Sequence, residues 1–245
     1  MVKLTIVTVA YNAASVIEET LESGKNLNFK NFEYVVIDGG SNDGTNDIVR
    51  RYSDWVDCHI IESDDGIYDA MNKGVRNASG DWLLFMNAGD SFSSFDVLDD
   101  IDFEAGAVDI YYSDAIVDGR AGGRFIYVAN PDKHMFNHQS FIYRRRLHDR
   151  YGYYLSLRGV SVSDYLFCAP VWSLSNSVKV DRPIAIFKWG GVSSKDDSFY
   201  QRMGADLLLG YSSPAVVVAK IVFYPVVKTL RTARSLLHCY FGRDR

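Results

Sequence analysis

The chain has 245 residues and a formal net charge of −5 at pH 7, with a pI near 5.5. That length allows one large domain with a full core, or one domain with an appendage, and the acidic balance argues against nucleic acid as a main partner. No run of eighteen apolar residues is present, so no segment is expected to span a membrane outright.

Cys58, Cys168 and Cys239 stand in apolar surroundings without a CxxC spacing, the pattern of buried reduced thiols in a reducing compartment. The chain enters a strand pattern at once, and no secretory leader is expected. Most of the 16 Tyr and 14 Phe belong in a core, with a few left to stack on a sugar or a base.

Leu4 to Val9 reads as a buried strand, followed by Tyr11, Asn12 and a helix with Val16, Ile17 and Leu21 on one side. Glu33 to Asp38 is a second strand, ending in the small polar turn Gly39 to Gly44. A short helix over Thr45 to Tyr52 and a strand over Cys58 to Ile61 come next. Ile67, Ala70, Met71, Gly74, Val75 and Ala78 recur at helical spacing. Trp82 to Met86 is a short apolar run, a strand covered on both faces, and it ends in Asn87, Ala88, Gly89 and Asp90. This βαβαβαβ order predicts a mostly parallel sheet with helices on both faces. Ligands in such folds sit at the carboxyl ends of the strands.

Past Asp90 the alternation breaks down into an irregular half. A strand is expected within Val108 to Ser113, and a hairpin around DGRAGG joins Ile116–Val117 to Arg124–Val128. Beyond these come an apolar run over His138 to Tyr143, a helix over Val162 to Val171, a strand over Ile184 to Lys188 and a helix over Ser198 to Leu209. There is no internal repeat. The tail from Pro214 to Tyr240 is apolar but places Lys220, Lys228, Arg231, Arg234 and His238 on one helical face. A cationic stripe on an apolar helix suits an anionic membrane surface. We therefore expect a domain over residues 1–213 and an amphipathic tail over 214–245.

Several motifs are absent. The glycines do not form GxGxxG, because Ser41 takes the third place, and there is no GK[ST], no GxSxG and no zinc spacing. What remains are carboxylates at strand ends: Asp38, Asp43, Asp64, Asp65 and Asp90, with Asp114 later. Singly, each reads as a turn former or helix cap. Together they suit a hard divalent cation that in turn holds a diphosphate.

The stretches TIVTVAYNAASVIEETLES, EYVVIDGGSNDGTNDIV, DDGIYDAMNKGVRNASGDWLLFMNAGD and HQSFIYRR resemble glycosyltransferase family 2. They are most similar to its bacterial branch that builds capsule, exopolysaccharide and O-antigen units. The likeness is close from Leu4 to Asp90, looser through His138 and Asp164 to Gly191, and does not reach the tail. It implies an α/β GT-A fold with a Rossmann-like central sheet, a nucleotide-sugar donor, Mn²⁺ or Mg²⁺, and inversion at the anomeric carbon. Carried over by position, Tyr11, Asp38, Asp65 and Gly66 would meet the nucleotide, and Asp90 with Asn87 would hold the metal. Asp164 would be the general base. Lys73, or one of Arg144 to Arg146, would add positive charge at the diphosphate, and His138, Gln139 and Asp114 would stand on the acceptor side.

The chain departs from the family pattern twice. Gly39 replaces a second acid after Asp38, and Asn87 and Gly89 replace carboxylates in the metal segment. The expected activity is inverting transfer from a UDP-sugar, or a GDP-sugar, to a lipid-linked glycan. Its expected place is peripheral, on the cytoplasmic face of the inner membrane. Two rivals remain. One is a non-catalytic nucleotide- or glycan-binding protein with a degraded metal site. The other is a sugar nucleotidyltransferase, whose glycine-rich basic loop after the first strand is here replaced by YNAAS.

Overall fold

The computed structural model describes residues 3–119, 123–190 and 196–225. The chain forms two compact units, residues 1–194 and 195–245.

The first unit is built on a seven-stranded sheet. Its strands are β1 (Leu4–Ala10), β2 (Phe32–Asp38), β3 (Cys58–Ile61), β4 (Trp82–Phe85), β6 (Ile110–Tyr112), β9 (Phe141–Arg144) and β10 (Ser177–Lys179). The order across the sheet is β10-β6-β9-β4-β1-β2-β3. The β3, β2, β1 and β4 run is parallel, β9 is antiparallel to both β4 and β6, and β10 is parallel to β6. Every residue of β1 is buried, as a strand covered on both faces requires. Alternation then divides its side chains. Leu4, Ile6 and Ala10 join the core under α1 (Ile17–Lys25) and α2 (Thr45–Arg50). Val7 and Val9 join the core under α3 (Ile67–Asn77), α4 (Arg146–Tyr151) and α5 (Ser163–Ser173).

Gly74 lets α3 lie close on β1, because a Cβ there would stand 2.5 Å from Val7 Cγ1. A four-stranded sheet, in the order β5-β11-β7-β8, carries the irregular half. It contains β5 (Ser91–Phe92), β7 (Ala115–Asp118), β8 (Arg124–Tyr127) and β11 (Ala185–Lys188). The expected hairpin is the β7–β8 pair; Arg120, Ala121 and Gly122 of its turn lie outside the described residues.

Antiparallel β9 disposes of one expectation about charge. Its register sets Arg144 against Trp82, at the amino end of β4 and so at the opposite edge of the sheet from Asn87 to Asp90. There Arg144 covers the Trp82 ring at 4.0 Å, Arg145 donates to the Gly80 carbonyl and Arg146 pairs with Asp109. Strand direction, which an apolar run does not encode, carries all three arginines away from the strand ends.

In the second unit, α6 (Asp196–Leu208) and a helix over 214–225 go together. The division into compact units falls at 194, before α6. Phe199 stacks on Tyr224 with ring centroids 3.7 Å apart. Lys220 of the expected basic stripe is described; Lys228, Arg231, Arg234, His238 and Cys239 lie outside the described residues. Among the described residues, no helix is long and apolar enough to cross a membrane.

One buried group makes stability depend on pH. His148 is 2% exposed, stacked on Phe167, with Nδ1 donating to the Gly152 carbonyl and Nε2 accepting from Tyr143 Oη. That pattern fits neutral imidazole, and burial pushes its pKa down from 6.5 to about 4. The unfolded chain takes up this proton near pH 6.5 and the folded one only near pH 4, so falling pH favours unfolding across that window. Between pH 7 and pH 5 the group is expected to remove about 2 kcal/mol of stability. Urea denaturation at both pH values should show this loss in the wild type and a loss smaller by that amount in His148→Gln.

Candidate active site

A cavity of about 1130 Å³ opens at the carboxyl ends of β1, β2, β3 and β4, large enough for a nucleotide-sized ligand. Its walls come from the ends of these strands, the start of α3, residues 138–139, the start of α5 and the end of β11. Tyr11, Gly66, Asn87, Asp90, His138, Gln139 and Asp164 all line it. They are drawn from segments far apart in the chain.

Asp90 is 6% exposed. Burial raises its carboxyl to about pH 6, against hydrogen bonds from the Lys188 N–H and Gln139 that favour the charged form. Gln139 Nε2 donates to Oδ2, and the Lys188 N–H donates to Oδ1 at 3.0 Å. Asn87 Oδ1 and Gln139 Oε1 are buried oxygens without a hydrogen-bond partner. Among the described residues no group of three or more His, Cys, Asp or Glu is placed to hold a metal. The donors are thus one carboxylate and two neutral amide oxygens. Such a set fits a hard divalent cation only if a bound phosphate supplies further ligands.

Two of the missing carboxylates, at Gly89 and Gly39, have local reasons. Gly89 has φ 101°, a left-handed conformation in which a side chain is strained. A Cβ on Gly39 would collide with the Asp64 carboxylate. Asp64 lines the cavity, while its neighbour Asp65 points to solvent with Arg158 at 3.9 Å.

Asp164 sits in the first turn of α5. Its Oδ1 accepts from Tyr68 Oη at 2.8 Å, and His138 Nδ1 stands 3.2 Å from Oδ2. Burial alone would raise this carboxyl, but the bonds from His138 and Tyr68 outweigh it and hold the group below the usual carboxylate range. His138 Nε2 in turn meets Asn87 Nδ2 at 3.0 Å. A hydrogen-bonded chain Tyr68–Asp164–His138–Asn87 therefore crosses the cavity. The Asn87 amide donates to Nε2 and leaves the imidazole proton on Nδ1, facing Asp164.

Other expected residues have different surroundings. Tyr11 is 65% exposed in the cavity wall, an open ring free to stack. Asp38 is fully buried: Oδ1 accepts from the Gly40 and Ser41 N–H groups and Asn46 Nδ2, while Oδ2 has no partner. Lys73 turns to the Ser63 carbonyl, Glu62 and Asp69 and does not line the cavity. Asp114 is tied to the Ala129 N–H and Lys179. Sequence reasoning missed Tyr68 and Lys188. Neither carries a signal by spacing, because each acquires its neighbours only when distant elements meet.

A model of the family described as "Glycosyl transferase family 2" matches residues 5–100. A PGL/p-HBAD biosynthesis glycosyltransferase of Mycobacterium tuberculosis is 32% identical over 232 residues, covering 88% of this chain and 90% of that protein. The chain belongs to glycosyltransferase family 2. The fold recurs in solved structures. TarS of S. aureus, in complex with UDP, superposes with a TM-score of 0.67 at 20% identity over 83% of this chain; the chain spans 64% of that fragment. The mannosyltransferase PcManGT of Pyrobaculum calidifontis, in complex with GDP-Man and Mn²⁺, superposes with a TM-score of 0.68 at 16% identity, covering 98% of this chain and 81% of that one. These likenesses establish the GT-A fold: a large, mostly parallel central sheet flanked by helices.

The family 2 turn at Gly89 is expected to be costly to substitute. Gly89→Ala should lower stability by about 1–2 kcal/mol in urea denaturation. Gly106→Ala, where a Cβ meets open space without a positive φ, should leave it unchanged.

Proposed function

We propose that this glycosyltransferase moves a sugar from a nucleotide-diphosphate donor to an acceptor hydroxyl with inversion. The observation that carries the reading is that Asp90 and Asp164 line one cavity at the carboxyl ends of the parallel strands. There Asp164 is held ionised while Asp90 is buried beside unpaired amide oxygens. A UDP-sugar is the favoured donor and a GDP-sugar the alternative. Solved relatives of the same fold hold UDP in one case and GDP-Man with Mn²⁺ in another.

In this reading Tyr11 stacks on the base, and Asp38, buried behind the cavity wall, holds the Gly40–Ser41 loop that borders it. Gly66 borders the nucleotide, with Asp64 nearer to it than Asp65. Asp90 and the Asn87 amide oxygen would hold a Mn²⁺ or Mg²⁺ ion together with the diphosphate; when bound, the ion neutralises charge on the leaving group. The acceptor hydroxyl attacks the anomeric carbon from the face opposite the nucleotide, and its proton passes to Asp164 as the new C–O bond forms. Tyr68 and His138 keep that carboxylate charged and oriented, and Gln139 fixes Asp90.

The acceptor is a lipid-linked glycan at the cytoplasmic face of the inner membrane. Support comes from the mycobacterial relative, whose name places it in PGL/p-HBAD biosynthesis, and from the basic residues of the apolar tail. The tail gives the protein its contact with anionic lipid.

Two measurements test these readings. Titration with UDP and GDP, with and without Mn²⁺, should show nucleotide binding that needs Mn²⁺ in the wild type and is lost in Asp90→Ala. Asp164→Asn should keep that binding and lose transfer by about three orders of magnitude; loss of donor binding in Asp164→Asn would remove it from the role of base. For the tail, the triple substitution Lys228→Glu, Arg231→Glu and Arg234→Glu should abolish sedimentation with phosphatidylglycerol vesicles. Undiminished sedimentation would rule out the basic stripe as the membrane contact.

A further inference from the structure

Resting on the nucleotide-sugar reading, we propose that the Lys188 ammonium binds the β-phosphate of the donor, and that Glu19 holds it aside until the donor arrives. Among the described residues lining the cavity, Lys188 is the only lysine or arginine. Its backbone N–H donates to Asp90 Oδ1 at 3.0 Å, so its main chain is fixed beside the carboxylate of the metal segment. Its side chain reaches across to Glu19 in the first turn of α1 and forms an ion pair there. Lys73 and Arg144 to Arg146, the cations expected from the sequence, are engaged elsewhere.

The charge count gives Lys188 its task. Asn87 and Gly89 leave Asp90 as the one carboxylate of the metal segment, so that segment has little anionic charge with which to retain a cation. The diphosphate still gains negative charge as the bond from the anomeric carbon to the β-phosphate oxygen breaks and that oxygen takes the electron pair. The Lys188 side chain donates a hydrogen bond to this oxygen, while the acceptor's proton goes to Asp164.

The exchange of partners is favourable. Lys188 and Glu19 are part exposed, at 35% and 55%, and such a pair shifts an equilibrium by less than about five-fold. A charge-assisted hydrogen bond to phosphate is worth about ten-fold or more. Glu19 therefore keeps the ammonium from collapsing elsewhere without trapping it.

The test is calorimetric titration of the full chain with UDP and UMP, and with GDP and GMP, in the presence of Mn²⁺. Lys188→Ala is expected to cut the preference for diphosphate over monophosphate about ten-fold, and Lys188→Arg to retain most of it. Glu19→Gln is expected to tighten diphosphate binding two- to five-fold, by about the strength of the ion pair it removes. An unchanged preference in Lys188→Ala overturns the assignment of the lysine, and an unchanged affinity in Glu19→Gln overturns the holding role. A wild type that binds neither UDP nor GDP overturns the transferase reading itself.

Discussion

The buried carboxylate of Asp90 is the junction on which the site depends. Its backbone carbonyl accepts from Thr20 Oγ1 of α1 at 2.7 Å, and its side chain accepts from Gln139 and from the Lys188 N–H of β11. One residue thus ties the end of β4 to a helix, to the loop before β9 and to the second sheet. An isolated buried charge is costly, and it persists where hydrogen bonds compensate it. Here the compensation is incomplete: the carboxyl is displaced upward to about 6 and stands beside two amide oxygens with no partner. Such a group is more useful for holding a ligand than for holding the fold.

Asp164, across the cavity, is the electrostatic opposite. Its side chain is only partly exposed, yet its carboxyl lies below the ordinary range because His138 and Tyr68 both point donors at it. Two carboxylates in one cavity therefore differ because of the donors that face them. His138 links the two halves of the site, since its other nitrogen meets Asn87 in the same segment as Asp90. One imidazole ring thus bridges the strand end and Asp164.

Two of the substitutions that set this chain apart, Gly89 and Gly39, follow from local geometry. At Gly89 the turn runs through positive φ, and at Gly39 the Asp64 carboxylate already occupies the space of a side chain. Asp64 takes up the acidic position in the cavity wall that a residue at 39 would otherwise fill. Lys188 likewise stands in the cavity where Lys73 was expected to reach.

The amino acid sequence by itself determined the first half of the fold. Apolar runs at Leu4, Glu33, Cys58 and Trp82, separated by helical periodicity, call for a mostly parallel sheet with helices on both faces; the order β3-β2-β1-β4, with β3 half exposed at the edge, came from the packing. Through the family resemblance it also pointed to Tyr11, Gly66, Asn87, Asp90 and Asp164, which line one cavity: the first four follow the ends of β1, β3 and β4, whereas Asp164 arrives on α5. The tertiary structure alone decided the rest. Short strands such as Ser91–Phe92 and Ser177–Lys179 have no periodicity to read and exist only as partners of longer ones. The reversed direction of β9 sent Arg144 to Arg146 to the far edge of the sheet. Tyr68 and Lys188 became part of the site through contacts 96 and 98 residues away in the chain, and a linear pattern carries no information at that range. Local sequence fixes what each segment can bury; which side chains then face one another depends on how the segments pack.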